Sequence, residues 1–181
     1  SLYYEIKIGG NDPGPGSMGT IQPGEFAYPV FPGKAGGPVE VEAWSDETKT
    51  APASLIASQR ILWGPSFEEV PGLPLSQLRS SYAWTWYDQQ SPGSLNWVMI
   101  ANPSDQDVSY KVKIAGEEQP TTATNPGTIP AHGRVMPTFS GKTNGPLEVV
   151  ASGKVMASQR VLWKGYFNEV LGTVLAYDKT G

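Results

Sequence analysis

Cysteine is absent from this chain of 181 residues, and histidine occurs once, as His132. The absence of cysteine excludes a disulfide framework, a thiol nucleophile and a cysteine-ligated zinc site. A single histidine also excludes a metal site built from paired histidines. No run of about 18 apolar residues occurs, so the sequence predicts no helix that spans a membrane.

Charged side chains are few and of mixed sign. They amount to 17% of the chain, 13 basic against 17 acidic, which gives a formal net charge of −4. The basic residues are scattered, and their densest set is the pair Lys111 and Lys113. Because binding to a polyanion needs a basic surface, we expect no nucleic-acid partner.

Motifs that carry catalytic chemistry are also missing. The sequence contains no Gly-x-Ser-x-Gly elbow, no glycine-rich phosphate loop and no paired-histidine metal motif. His132 lies in a Pro-Ala-His-Gly segment that is typical of an exposed turn. Acidic pairs such as Asp105 and Asp107 do not match the spacing of an EF-hand loop. We therefore expect no enzyme, no catalytic residue, no metal and no cofactor.

Turn residues separate short alternating runs along the whole chain. Glycine occurs 21 times and proline 17 times, as in the turn signal at residues 91–93. Between such turns, apolar residues alternate with polar ones, as Tyr4, Ile6 and Ile8 do with Glu5 and Lys7. This period is that of half-buried strands, and no long helical pattern occurs. The sequence predicts an all-β fold.

An internal repeat is the most informative feature of the sequence. The run SQRILW at residues 58–63 recurs as SQRVLW at residues 158–163. Matches also join residues 37–41 to 145–149 and residues 4–8 to 110–114. We expect two tandem Ig-like antiparallel β-sandwich units, with a first domain at residues 1–80 and a second at 81–181.

The two copies are unequal in length. Residues 82–108 have no counterpart before Tyr4, so the first unit is expected to lack its initial strands. The chain could be a processed or excised slice of a longer tandem array, since it begins at Ser1 without an initiator methionine. The first copy could instead be a smaller natural variant. A third explanation is that a neighbouring chain supplies the missing strands by strand addition.

Both ends of the chain contain candidate strands for exchange between subunits. The first set is apolar and alternating and comprises Leu2, Tyr4, Ile6 and Ile8. The second set, Val174, Leu175 and Tyr177, belongs to a tail that resembles a shortened version of residues 83–88. The predicted partners are copies of this chain or neighbouring repeats of a longer one.

Two further sets of residues could serve structure or binding. An arginine and a glutamate recur at equivalent positions, as Arg60 and Glu69 in the first copy and as Arg160 and Glu169 in the second. We expect each pair to form a structural ion pair across a turn, because an arginine in an apolar strand needs a partner. Trp44 and Trp86 are the candidates for stacking on sugar rings.

The repeated motif reads Ala-Ser-Gln-Arg-(Ile/Val)-Leu-Trp and is followed in both copies by Phe-x-Glu-Val. Its second copy is preceded by Trp-Tyr-Asp and Ala-Asn-Pro. This combination resembles tandem β-sandwich repeats of secreted and cell-surface proteins of bacteria. Such repeats occur in adhesins, surface-layer components and stalks. The resemblance implies an extracellular structural protein at the cell surface, a scaffold or filament subunit that self-assembles through strand addition. The alternative is a carbohydrate-binding or adhesive module of a larger surface protein, with a cell-wall or surface polysaccharide as its ligand.

Overall fold

The computed structural model describes residues 1–175, and in that range the chain is all-β and its strand pairs are antiparallel. The prediction of an all-β fold is confirmed. The strands up to residue 101 are β1 (Leu2–Ile8), β2 (Met18–Ile21), β3 (Val39–Trp44), β4 (Ser58–Trp63), β5 (Ser66–Pro71), β6 (Arg79–Trp84), β7 (Tyr87–Asp88) and β8 (Ser94–Ala101). The later strands are β9 (Val108–Ile114), β10 (Glu117–Glu118), β11 (Thr128–Ile129), β12 (Arg134–Val135), β13 (Thr143–Asn144), β14 (Leu147–Trp163), β15 (Tyr166–Leu171) and β16 (Thr173–Val174). One 3-10 turn, Leu75–Gln77, precedes β6.

The chain divides into two compact units, Ser1–Ala57 and Ser58–Gly181. The boundary expected from the repeat lay at residue 80. In the structure the hairpin β4–β5 falls within the larger unit, where β5 packs beside β15. The first unit is therefore shorter than the first copy of the repeat.

The smaller unit is built on a three-stranded sheet in the order β2-β1-β3. Its buried apolar side chains are few, chiefly Ile6 and Ala43. The register pairs Ile6 with Val41 and Ile8 with Val39. Thus β1 has a hydrogen-bonded neighbour on each of its edges.

The larger unit is organised by β14, a strand of 17 residues. Its first part lies between β6 and β9, and its last part lies between β8 and β15. The pairing with β6 shifts register between Val150 and Val155. A single long strand thereby links two sets of neighbours, and it positions the repeated hairpin at its end.

The core of the larger unit consists chiefly of inward-facing residues of β6, β7, β8, β9, β11 and β14. Fully buried members are Tyr82, Tyr87, Val98, Ile100, Val112, Ile129, Leu147, Val149 and Val155. The two tyrosine hydroxyls are satisfied, because Tyr82 donates to the carbonyl of Val155 at 2.7 Å and Tyr87 to that of Asn96 at 3.2 Å. Burial raises the pKa of both phenols. The apolar residues that alternate with polar ones in the sequence of these strands are therefore the residues that face the core.

Equivalent strands of the two copies pair in the same register. Ile8 lies opposite Val39 in the smaller unit, and Ile114 lies opposite Leu147 in the larger one. The repeat is therefore a repeat of strand pairing as well as of sequence. Within residues 1–175 the structure contains no helix long and apolar enough to cross a bilayer.

Candidate functional site

The repeated motif forms the same β-hairpin twice. In β4–β5, Arg60 lies opposite Glu69 and Leu62 opposite Phe67. In β14–β15, Arg160 lies opposite Glu169 and Leu162 opposite Phe167. A two-residue turn closes each hairpin, with Gly64 at φ 55° in one and Gly165 at φ 88° in the other. Glycine suits such turns because it adopts positive φ without a steric penalty.

The residues expected to form ion pairs lie together in both hairpins. The distance from Nε of Arg160 to Oε2 of Glu169 is 2.8 Å, and the corresponding distance between Arg60 and Glu69 is 3.4 Å. Each glutamate also accepts a hydrogen bond from a serine, Ser158 at 2.6 Å in the second copy. The second pair is much more shielded, since the Glu169 side chain is 9% exposed and that of Glu69 is 41% exposed.

In the second copy, β8 closes the outer edge of the hairpin. It pairs with β14 continuously from Ala101 opposite Met156 to Ser94 opposite Trp163. The side chain of Gln159 is consequently buried. Its Nε2 donates to Oδ1 of Asn96 at 2.7 Å and to the carbonyl of Trp86 at 2.9 Å.

In the first copy, the same edge is open. No strand within residues 1–175 pairs with β4 other than β5. Ser58, Gln59 and Arg60 are all exposed, whereas Ser158 and Gln159 are each only 6% exposed. Leu62 on the same strand is 77% exposed. The open edge of β4, residues Ser58–Trp63, is the candidate binding site that we call the acceptor edge.

The other side of the open hairpin is covered within the larger unit. The rings of Trp63 and Phe167 stack with centroids 6.2 Å apart. The hydroxyl of Ser66 accepts a hydrogen bond from the backbone N–H of Phe167 at 2.9 Å. These contacts bury Phe167 to 9% exposure and leave its counterpart Phe67 60% exposed. The two hairpins are therefore held side by side, with β5 packed beside β15.

The strands expected to exchange between subunits are engaged within the chain to different extents. Leu2, Tyr4, Ile6 and Ile8 lie on β1, the central strand of its sheet, so their release would break pairing on two edges. Val174 pairs with Tyr82 through the two-residue strand β16, and Leu175 follows it. Tyr177 lies outside the described residues.

The two tryptophans expected to stack on sugars differ in their surroundings. Trp44 is half-buried, and the ammonium group of Lys49 lies 5.0 Å from its ring centroid. Trp86 is 53% exposed and lies on the turn between β6 and β7. Trp86 and Trp163 border one pocket in the larger unit. From the sequence, Trp163 is expected only to be part of the repeated motif.

The polar contact between Gln159 and Asn96 is a feature that the sequence reading missed. A signal for it was present, because Ser94 and Asn96 occupy the inward positions of a strand whose next inward residues are Val98 and Ile100. Polar residues at core positions need internal partners. Comparison of the chain with family models, with curated proteins and with solved structures found no match.

Proposed function

We propose that this chain is an extracellular structural protein of the cell surface, a scaffold or filament subunit that joins other chains by β-strand addition at the acceptor edge. The observation that carries the proposal is the contrast between two copies of one hairpin. One copy is completed by a strand, β8, and the other offers the same residues to solvent. The resemblance to tandem repeats of bacterial surface proteins supports the extracellular placement and an Ig-like sandwich for each copy.

Backbone chemistry explains why such an edge binds a strand. The outward N–H and C=O groups of an edge strand can hydrogen-bond a further strand, and each bond contributes about 1 kcal/mol net. Exposed apolar side chains add to this, and Leu62 is 77% exposed on the acceptor edge. Main-chain bonds give affinity in this mode of recognition, and alternate side chains give specificity.

The second copy indicates what kind of strand fits. On β8 the inward positions are Ser94, Asn96, Val98 and Ile100, and Asn96 accepts the amide hydrogen of Gln159. Gln59 occupies the equivalent position on the acceptor edge. A strand with an asparagine followed by alternating apolar residues would therefore complete the first copy as β8 completes the second.

A labelled peptide with the sequence of β8, Ser94–Ala101, tests the acceptor edge in fluorescence anisotropy with the intact chain. We expect saturable binding that weakens about tenfold when the asparagine of the peptide is replaced by leucine, because Gln59 then loses its acceptor. The variant Gln59→Ala should weaken binding similarly without lowering the melting temperature.

The variant Gln159→Ala changes the equivalent glutamine of the second copy and is the matched control for Gln59→Ala. It removes the partner of Asn96 from a buried site, and we expect it to lower the melting temperature. Equal binding of the β8 peptide and a scrambled peptide would contradict the proposal, as would full binding by Gln59→Ala.

A further inference from the structure

A pocket of about 280 Å³ opens on the larger unit between Trp86 and Trp163. The two indoles are 53% and 44% exposed, so each presents a large part of its surface to solvent. Exposing an apolar ring forgoes the free energy that its burial would contribute. Two such rings bordering one pocket therefore require an explanation that core packing does not supply.

The floor of this pocket is polar and is built from buried side chains. Ser94, Asn96 and Gln159 line it and are 7%, 3% and 6% exposed. Asn96 donates through Nδ2 to the carbonyl of Asp88 at 2.6 Å and accepts at Oδ1 from Gln159. These bonds lock the floor in one arrangement, which lowers the conformational entropy lost on binding a ligand.

The two tryptophans are also held in place by neighbouring side chains. Gln159 donates to the carbonyl of Trp86 at 2.9 Å, which fixes the backbone that carries the exposed ring. The ammonium group of Lys164 lies 5.5 Å from the ring centroid of Trp163. The pocket therefore presents two positioned aromatic rings over a rigid polar floor.

Charge at the pocket favours a neutral ligand rich in hydroxyl groups. Asp88 is the one charged residue among those that line it. Its Oδ1 accepts hydrogen bonds from the backbone N–H groups of Gln90 and Ser91, each at 3.0 Å. A carboxylate beside amide and hydroxyl side chains suits hydroxyl donors, and the C–H face of a pyranose ring suits an indole face.

We propose that the pocket between Trp86 and Trp163 is a binding site for a neutral pyranose unit of a polysaccharide. The first copy of the repeat has no counterpart of Trp86 or Asn96, which belong to residues 82–108. Its equivalent of Trp163 is Trp63, whose ring stacks on Phe167. The pocket lies on residues of the second copy, and its function does not depend on strand addition at the acceptor edge.

Saturation-transfer NMR on the intact chain tests this site with short oligosaccharides of cellulose, chitin and amylose. We expect transfer to pyranose ring protons of at least one of them. The variants Trp86→Ala and Trp163→Ala should each weaken that binding about tenfold or more, since each removes one stacking surface.

The control variant is Trp63→Ala, which removes a similarly exposed indole at the equivalent place in the other hairpin and should leave saccharide binding unchanged. Transfer to none of the three saccharides would overturn the proposal. Saccharide binding by either pocket variant as tight as that of the unaltered chain would also overturn it, and so would preferential binding of a proline-rich peptide at the same two rings.

Discussion

Gln59 and Gln159 occupy the same place in two copies of one hairpin, yet the first is exposed and the second is 6% exposed. The difference lies in what each side chain can reach. Gln159 reaches Asn96 and the carbonyl of Trp86, both of which belong to the segment that has no counterpart in the first copy. A residue can therefore be repeated faithfully in sequence while its energetic role differs between copies.

The ion pairs show the same asymmetry and give a matched test. In the second copy, Glu169 is shielded and accepts hydrogen bonds from Arg160 and Ser158, so Glu169→Ala leaves a half-buried arginine without its carboxylate. We expect this change to lower the free energy of unfolding by about 3 kcal/mol. The variant Glu69→Ala should shift the midpoint of urea unfolding very little, because water solvates both partners of that pair.

Urea denaturation of Glu169→Ala, Glu69→Ala and the unaltered chain measures the free energy of unfolding of each. Equal losses of stability in the two variants would show that shielding does not set the strength of the pair. A larger loss in Glu69→Ala would show that the first hairpin, not the second, depends on its ion pair.

At the scale of elements, the turn after β7 is held by a carboxylate. Backbone N–H groups of Ser91 and Gln90 donate to Asp88 and lower the pKa of its carboxyl from 3.8 to about 2. In the unfolded chain the pKa of an aspartate is about 3.9, which is higher than in the folded protein. The ionised Asp88 carboxylate therefore stabilises the fold fully at pH values above about 3.9. This stabilisation is lost as the pH falls through about 2.

Asp88→Asn therefore tests the turn by its response to acid. The variant keeps a side-chain oxygen that can accept from the turn but has no titrating group. We expect the melting temperature of the unaltered chain to fall more steeply than that of the variant between about pH 4 and pH 2. Parallel profiles in this range would contradict the assignment of the low pKa to this turn.

Individual elements also show how far sequence reasoning reaches. The alternation in residues 108–114 and the turn at residues 64–65 predict a strand and a hairpin because side-chain period and turn chemistry are local properties. The extent of β14 could not be predicted in this way. Its 17 residues pair with different neighbours on the two halves of the strand, and β6 and β8 lie far away in the chain.

At the scale of the whole molecule, self-assembly depends on a donor as well as on the acceptor edge. Of the described candidate donors, β16 is attached least, through two residues paired with β6, whereas β1 is paired on both edges. A chain lacking residues 173–181 should therefore remain folded and lose the ability to form filaments or sheets. Circular dichroism and negative-stain electron microscopy over a concentration series measure the two properties.

The comparison between the shortened and the full chain distinguishes the donor from the acceptor. Regular assemblies of the full chain that disappear on removal of the tail would assign the donor role to the tail. Assemblies that persist without it would exclude the tail as the donor, and isolated particles of the full chain at every concentration would contradict self-assembly altogether.

The sequence by itself determined that this protein is all-β and that it contains one hairpin twice, because alternation, turn residues and repetition can all be read along the chain. It also determined that Arg160 lies opposite Glu169, because a two-residue turn sets the register of a hairpin. Only the tertiary structure decided that one hairpin is closed by β8 and the other is open. It also decided that Trp86 and Trp163 border one pocket, although 77 positions separate them in the sequence. Those outcomes depend on contacts between segments distant in the chain, and no local pattern records which distant segments meet.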